Sequence, residues 1–207
     1  GFVGRYIIPH LLERGCAVTA GARDEKKARN FSWFDRVRFI ACDIHRMVDN
    51  QVELFGQPEV VIHLAWPGLP NYTALFHFEE NLSADYRFLK SLVEAGVSRL
   101  LVAGTCFEYG MQSGPLGEDM ETRPENPYGF AKDMLRRQLT YLKGEKSFAL
   151  TWARLFYLYG DGQAENSLYS QLKRAVERGE KVFNMTGGEQ LRDYLPISDA
   201  AVHLASL

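Results

Sequence analysis

The chain has 207 residues, 46% hydrophobic and 24% charged, with a formal net charge of -2. That is enough for one full domain with a core of its own, and part of a second. The near-neutral balance excludes a surface built to neutralise nucleic-acid phosphates, and no apolar run approaches the roughly 20 residues a membrane-spanning helix needs.

In chain order, Ile7, Ile8, Leu11 and Leu12 recur at helical spacing within residues 4–14, and Gly15 is placed to close that helix. Pro9 lies inside it and is expected to bend it. Residues 16–20 read as a short buried strand, residues 24–29 as one or two charged helical turns, and residues 37–41 as a second strand. A short helix is predicted over 47–55, and Pro58 introduces the most apolar strand, residues 59–65. A long helix over 74–95 stops at Gly96, and a strand follows at 99–103. Residues 110–127, rich in Gly, Pro and acidic side chains, form a loop; 128–142 is helical and 148–155 a strand. After Gly160 the rhythm changes: a helix over 167–178, a short strand near Val182, then an extended stretch over 191–196. Continuously apolar strands alternating with helices predict an α/β, doubly wound parallel sheet with a smaller, here incomplete, substrate-binding region. The expected division is 1–155 for the sheet domain, its first strand missing, and 156–207 for the second region. Both ends read as cut from a longer protein.

Cys16, Cys42 and Cys106 are odd in number and lack CxxC spacing, so they read as free thiols. With no basic-then-apolar leader, the expected location is cytoplasmic. The five histidines lack HxxxH and HExxH spacing, and no metal site is expected.

The opening Gly1-Phe2-Val3-Gly4 stands at the mouth of the first helix, where glycines let backbone approach a pyrophosphate. Arg23, after the second predicted strand position, is placed to accept a 2′-phosphate and so favours NADP, with NAD the other candidate; a solvated arginine is the plain alternative. Asp43 and Ile44 are placed at an adenine edge, unless Asp43 is a helix cap. Leu64, Ala65 and Trp66 end the most apolar strand, where a dinucleotide would cross the sheet; His63 within it reads as structural. The strongest pattern is Tyr128-Gly129-Phe130-Ala131-Lys132. Tyrosine and lysine four apart share a helix face, and an ammonium there stabilises phenolate, lowering the phenol pKa so that it can exchange a proton with a carbinol oxygen. Thr105, directly after a predicted strand, is placed to hold the same oxygen. An exposed helix pair is the bland reading of Tyr128 and Lys132.

The sequence resembles the extended short-chain dehydrogenase/reductase family, the nucleotide-sugar epimerases, dehydratases and 4-ketoreductases with a Rossmann fold. The resemblance rests on Gly1 to Gly4, Val61 to Ala65, Asn81, Thr105 to Gly110, Pro127 to Lys132 and Arg192-Asp193-Tyr194. It implies Tyr128 as acid/base, Lys132 as its electrostatic partner and ribose ligand, and Thr105 as the group that orients the reacting oxygen. It further implies Phe156 beside the nicotinamide, and Phe107, Glu108, Asn166, Leu168 and Arg192 around a nucleotide-sugar substrate. A surface role is the alternative for Arg192. Two departures stand out. Cys106-Phe107 replaces the Asp-Glu pair of family dehydratases, which disfavours dehydration. Tyr157 stands where many epimerases carry asparagine. The implied activity is an NAD(P)-dependent reduction of a 4-keto sugar; a 4-epimerase with tightly held NAD and a non-catalytic dinucleotide-binding scaffold are the alternatives. A homodimer through a four-helix contact of the 74–95 and 128–142 helices is also implied.

Overall fold

Residues 1–46 and 51–207 are described by a computed structural model. Helix α1 (Gly4–Glu13) runs through Pro9 without ending, and closes as the sequence predicts. Gly15 takes φ 78°, its N–H donating to Leu12 O and that of Cys16 to Leu11 O, which satisfies the last carbonyls. Strand β1 (Thr19–Ala22) starts three residues later than expected. Parallel pairing with β2 (Arg38–Ala41), Thr19 opposite Arg38, sets its limits, where apolar character alone had suggested 16–20. Between them α2 (Glu25–Ala28) is capped by the Asp24 carboxylate, which accepts from Lys27 N. Of the helix expected over 47–55, residues 47–50 lie outside the described residues and Gln51–Phe55 is a 3-10 turn.

Strands β3 (Val60–His63), β4 (Arg99–Thr105) and β5 (Ala149–Leu155) form a second, wholly parallel sheet with β4 in the middle. The long helix expected over 74–95 is two elements, a π-helical turn at His77–Asn81 followed by α3 (Leu82–Glu94). A polar loop after β4 leads into α4 (Pro127–Glu145). Beyond β5 come β6 (Tyr157–Tyr159), α5 (Leu168–Glu177), β7 (Tyr194–Pro196) and α6 (Ile197–Leu204); β6 and β7 pair in parallel. No strand forms at Val182, whose side chain is exposed.

Alternation along the strands builds two cores. Leu100 and Val102 of β4 face one side, joining Leu89, Leu92 and Val93 of α3 and Leu135, Leu139 and Leu142 of α4. Leu101 faces the other, with Ile7 of α1 and Ala201 and Leu204 of α6. The sheet is covered on both faces, so its strands read as continuous apolar runs. The expected boundary at residue 155 falls between β5 and β6, yet α6 beyond it returns to the core that α1 shares.

Candidate active site

Thr105 ends β4 in extended backbone and begins the 3-10 turn Cys106–Tyr109. Its hydroxyl accepts from Phe107 N at 3.3 Å, and the Glu108 carboxylate reaches back to accept from Thr105 N at 2.8 Å. This reciprocal box fixes the threonine at the carboxyl end of the central strand.

Helix α4 is aimed at that point. Asn126 caps it by accepting from Gly129 N at 2.8 Å, and Pro127 occupies its first turn. Gly129 lies so close to the turn after β4 that a Cβ there would stand 2.5 Å from Phe107 O. Only a glycine lets the two backbones meet, and the meeting brings Tyr128 to Thr105. Tyr128 N–H also donates to Tyr72 O at 3.1 Å.

Around the Tyr128 ring stand Trp66, Tyr72, His77 and Phe107, at centroid distances of 6.0, 5.6, 5.3 and 6.0 Å. Burial among them pushes the phenol pKa up, the Thr105 hydroxyl working against the rise. The expected lowering of this pKa by Lys132 is therefore not what the structure shows. The Lys132 ammonium stands over the Trp66 ring at 4.4 Å and the Trp152 ring at 5.3 Å instead. Thr105, Tyr128 and Lys132 are all buried, Lys132 almost wholly. Burial lowers the lysine to about 8, against the opposing charges of Asp85 and Glu108.

Other residues read from the sequence fall differently. Glu108, expected at the substrate, turns inward and is fully buried. Its carboxylate accepts from Trp152 Nε1 at 3.0 Å and Arg154 Nε at 2.8 Å besides Thr105 N, so its role here is to hold the turn. Phe107 stacks on Tyr72 at 4.7 Å. Asp43 accepts from His45 N at 3.1 Å and so caps the turn after β2; Ile44 begins that turn. Leu64 packs in the layer of α1 and α6, Ala65 is exposed, and Trp66 is drawn to His77 by a 3.0 Å hydrogen bond. Phe156 lies 6.2 Å from the Tyr109 ring. Asn166 and Leu168 are exposed at the start of α5, where Asn166 O accepts from Gln171 Nε2 at 2.6 Å. Arg192 lies over the Tyr157 ring at 4.4 Å and donates to its hydroxyl.

The residues at the mouth of α1 suit a dinucleotide. The helix starts without a side-chain cap; Arg5 N and Tyr6 N already donate to Gly1 O and Val3 O, at 3.3 and 3.0 Å, so the N–H groups of Phe2, Val3 and Gly4 are the ones left to face an anion. A Cβ on Gly1 would meet nothing within 4 Å and one on Gly4 only the Leu64 side chain at 3.7 Å, so packing does not demand either glycine. Phe2 and Val3, between them, are half-buried. Arg23 is exposed just past β1, beside Lys26 and Arg29.

Two polar groups near the site escaped the sequence reading. His77, on the π-helical turn, accepts from Trp66 through Nδ1, and its Nε2 faces Asn71 O at 2.7 Å. Asp85 of α3 is fully buried, 3.2 Å from His63. A signal for Asp85 was present: it shares the i, i+4, i+7 stripe of Leu89 and Leu92, the face that enters the core.

Comparison with known proteins agrees with this geometry. A sequence model described as the NAD dependent epimerase/dehydratase family matches residues 1–205. The chain is 30% identical to a dTDP-6-deoxy-L-talose 4-dehydrogenase (NAD(+)) of Aggregatibacter actinomycetemcomitans, over 99% of this chain and 75% of that protein. It is 29% identical to a UDP-glucose 4-epimerase of Corynebacterium glutamicum, over all of this chain and 68% of that one. Among solved structures, MoeE5 in complex with UDP-glucuronic acid and NAD superposes with a TM-score of 0.82 at 32% identity, covering 97% of this chain and 67% of MoeE5. With the match running nearly end to end, and with the Rossmann-like parallel sheet and the Thr105, Tyr128 and Lys132 cluster in place, the chain belongs to the NAD dependent epimerase/dehydratase family, within the extended short-chain dehydrogenases/reductases.

Proposed function

We propose that this chain carries the dinucleotide site and catalytic groups of an oxidoreductase that reduces the 4-keto group of a nucleotide-linked sugar. The observation that supports it best is the burial of Thr105, Tyr128 and Lys132 together at the carboxyl end of the central strand, where open parallel sheets take their ligands. The dinucleotide, when bound, supplies the hydride that no side chain can. Thr105 and Tyr128 hold the carbonyl oxygen between two hydroxyls, and as negative charge builds on that oxygen the phenol gives it a proton. Burial suits this direction, because it keeps Tyr128 as the neutral phenol, the form with a proton to give. Lys132 supplies the positive charge that steadies the resulting phenolate. Phe107 and Cys106 offer no acid and base for removing water, so dehydration forms no part of the reading.

NAD is the cofactor we assign, as the relatives that name one name NAD. Arg23 supports use of NADP as well, since Asp24 next to it is engaged in capping α2. A 4-epimerase that retains NAD is the second reading, favoured by the 29% identity of the whole chain to 68% of a UDP-glucose 4-epimerase. We also assign a homodimer through the outer faces of α3 and α4, where Phe130 and Tyr141 are exposed; sedimentation of the purified protein as a monomer would remove it.

The deciding assay mixes the protein with NADH or NADPH and a panel of nucleotide 4-keto-6-deoxy sugars. Loss of reduced-nicotinamide absorbance with one of them is expected. No loss with any sugar and either cofactor would overturn the reductase. Co-purified NAD at one per chain, together with interconversion of C4 epimers and no net oxidation, would establish the epimerase instead.

A further inference from the structure

The proposed reaction makes no use of two wholly buried polar side chains on the π-helical turn, His77 and Asn81. Buried polar groups need partners. Apart from one another, these two find theirs on a single segment, the loop that follows β3. Asn81 Nδ2 donates to Pro67 O at 3.0 Å and stands 3.3 Å from His77 Nδ1.

The bonds of His77 fix its tautomer. An indole N–H can only donate, so His77 Nδ1, which receives Trp66 Nε1 at 3.0 Å, carries a lone pair. The ring proton then belongs to Nε2, which donates to Asn71 O at 2.7 Å. Backbone holds the imidazole on one side, and the imidazole holds the indole on the other.

Trp66 carries this order to the Tyr128 and Lys132 cluster. It is half-buried, its one polar group goes to His77, and the Lys132 ammonium stands 4.4 Å from its ring centroid. The same ring meets Tyr128 edge-on at 6.0 Å, and the His77 ring lies 5.3 Å from Tyr128. An ammonium is attracted to the face of an indole and not to its edge, so the plane of Trp66 decides where the charge rests. Without an acceptor at Nδ1 the indole N–H would turn elsewhere for a partner, and the ring face would turn with it.

We propose that His77 is a positioning residue: its Nδ1 lone pair sets the plane of Trp66, and Trp66 sets the place of the Lys132 ammonium. The inference rests on the reading of Lys132 as the cation of the active site and adds the residue that holds it there through Trp66.

Two substitutions separate this role from packing. His77→Asn keeps an acceptor oxygen close to the position of Nδ1 and gives up ring volume, whereas His77→Phe keeps the ring and has no acceptor. With nucleotide sugar and reduced cofactor, His77→Phe is expected to lower kcat about 10- to 100-fold with KM little changed, and His77→Asn to stay closer to the parent. The opposite order, or an equal loss in both, would make His77 a packing residue and overturn the proposal. The relay is also read without turnover. The Lys132 Hε resonances are expected upfield in the parent and in His77→Asn, under the ring current of Trp66, and to move toward ordinary lysine positions in His77→Phe. Resonances that stay in place in His77→Phe overturn the proposal. If no nucleotide sugar is turned over by parent or variants the reductase reading falls, while the lysine resonances still decide the role of His77. If His77→Phe fails to fold, the 15N shifts of His77 in the unaltered protein decide. A proton on Nε2 with Nδ1 accepting a hydrogen bond supports the relay, and a proton on Nδ1 overturns it.

Discussion

Tyr128 and Glu108 show how much a single side chain in this site is asked to do. In the proposed reduction, Tyr128 without its hydroxyl could neither hold the carbonyl oxygen nor protonate it. Tyr128→Phe is therefore expected to lower kcat by about 10²- to 10⁴-fold, while a dinucleotide, which we propose binds at the mouth of α1, should titrate with near-unchanged affinity. Because burial holds the phenol above its usual range, sugar reduction should persist through neutral pH. The reverse oxidation, which needs phenolate, should rise steadily with pH; a flat profile for the oxidation would remove Tyr128 as its base. Glu108 makes the structural counterpart. It accepts from Thr105 N, Trp152 Nε1 and Arg154 Nε in a space with no access to water. Glu108→Ala should cost about 3–5 kcal/mol in urea unfolding, since it leaves the Arg154 charge without its carboxylate, with only Tyr109 Oη and Glu118 O still accepting from it. At this scale the sequence was legible where chemistry and spacing agree, as at Tyr128 and Lys132, and misleading at Glu108. A glutamate three residues after a strand-end threonine fits a substrate contact and a capping box equally well, and only burial separates them.

Elements set these side chains against one another, and the tightest junction is that of α4 with the turn after β4. Replacing Gly129 by alanine would drive a methyl into Phe107 O. Gly129→Ala should destabilise the fold by about 1–3 kcal/mol and, by parting Tyr128 from Thr105, lower kcat more than it changes KM. The junction of β3 with α3 carries a different signature. His63 has its pKa depressed from 6.5 to about 3, so its stabilising share is present above pH 6.5 and is lost as pH falls toward 3. Asp85 has its pKa raised from 3.8 to about 7, so its share is present below 3.8 and is lost as pH rises toward 7. Between roughly pH 4 and 6.5 the two slopes oppose one another. Asp85→Asn should leave the histidine slope alone, giving a protein that loses stability on acidification more steeply than its parent; His63→Gln should do the reverse. Thermal unfolding across that interval reads both. Elements were legible in order as far as β5, because helical and strand periods differ, whereas beyond it no strand forms at Val182 and β6 went unread. Their limits were not: pairing with β2 placed β1, and the π-helical turn at His77–Asn81 left no mark that a helical pattern would show.

The molecule as a whole shows why the family was readable from so few motifs. In the proposed reading strand ends carry the chemistry while both faces of the sheet carry core, so the order of Gly1 to Gly4, Thr105 and Tyr128 along the chain is the order in which the fold delivers them to one end of the sheet. What the sequence could not convey was the buried pair of His63 and Asp85, which β3 and α3 bring to 3.2 Å from separate stretches of the chain. The described residues contain three separate parallel sheets, β1 with β2, β3 with β4 and β5, and β6 with β7. β4, flanked on both sides, should hold its amide hydrogens longest in exchange with deuterated water, and β1 and β2 should release theirs first; equal protection would mean that these two sheets open as one. The seam between α1 and α6 has a further effect. Ile7 meets Ala201 and Leu204 there, and Arg14 donates to Ala205 O and Ser206 Oγ, each at 2.9 Å, so a substitution that loosens α6 should loosen the glycine turn at the mouth of α1 with it.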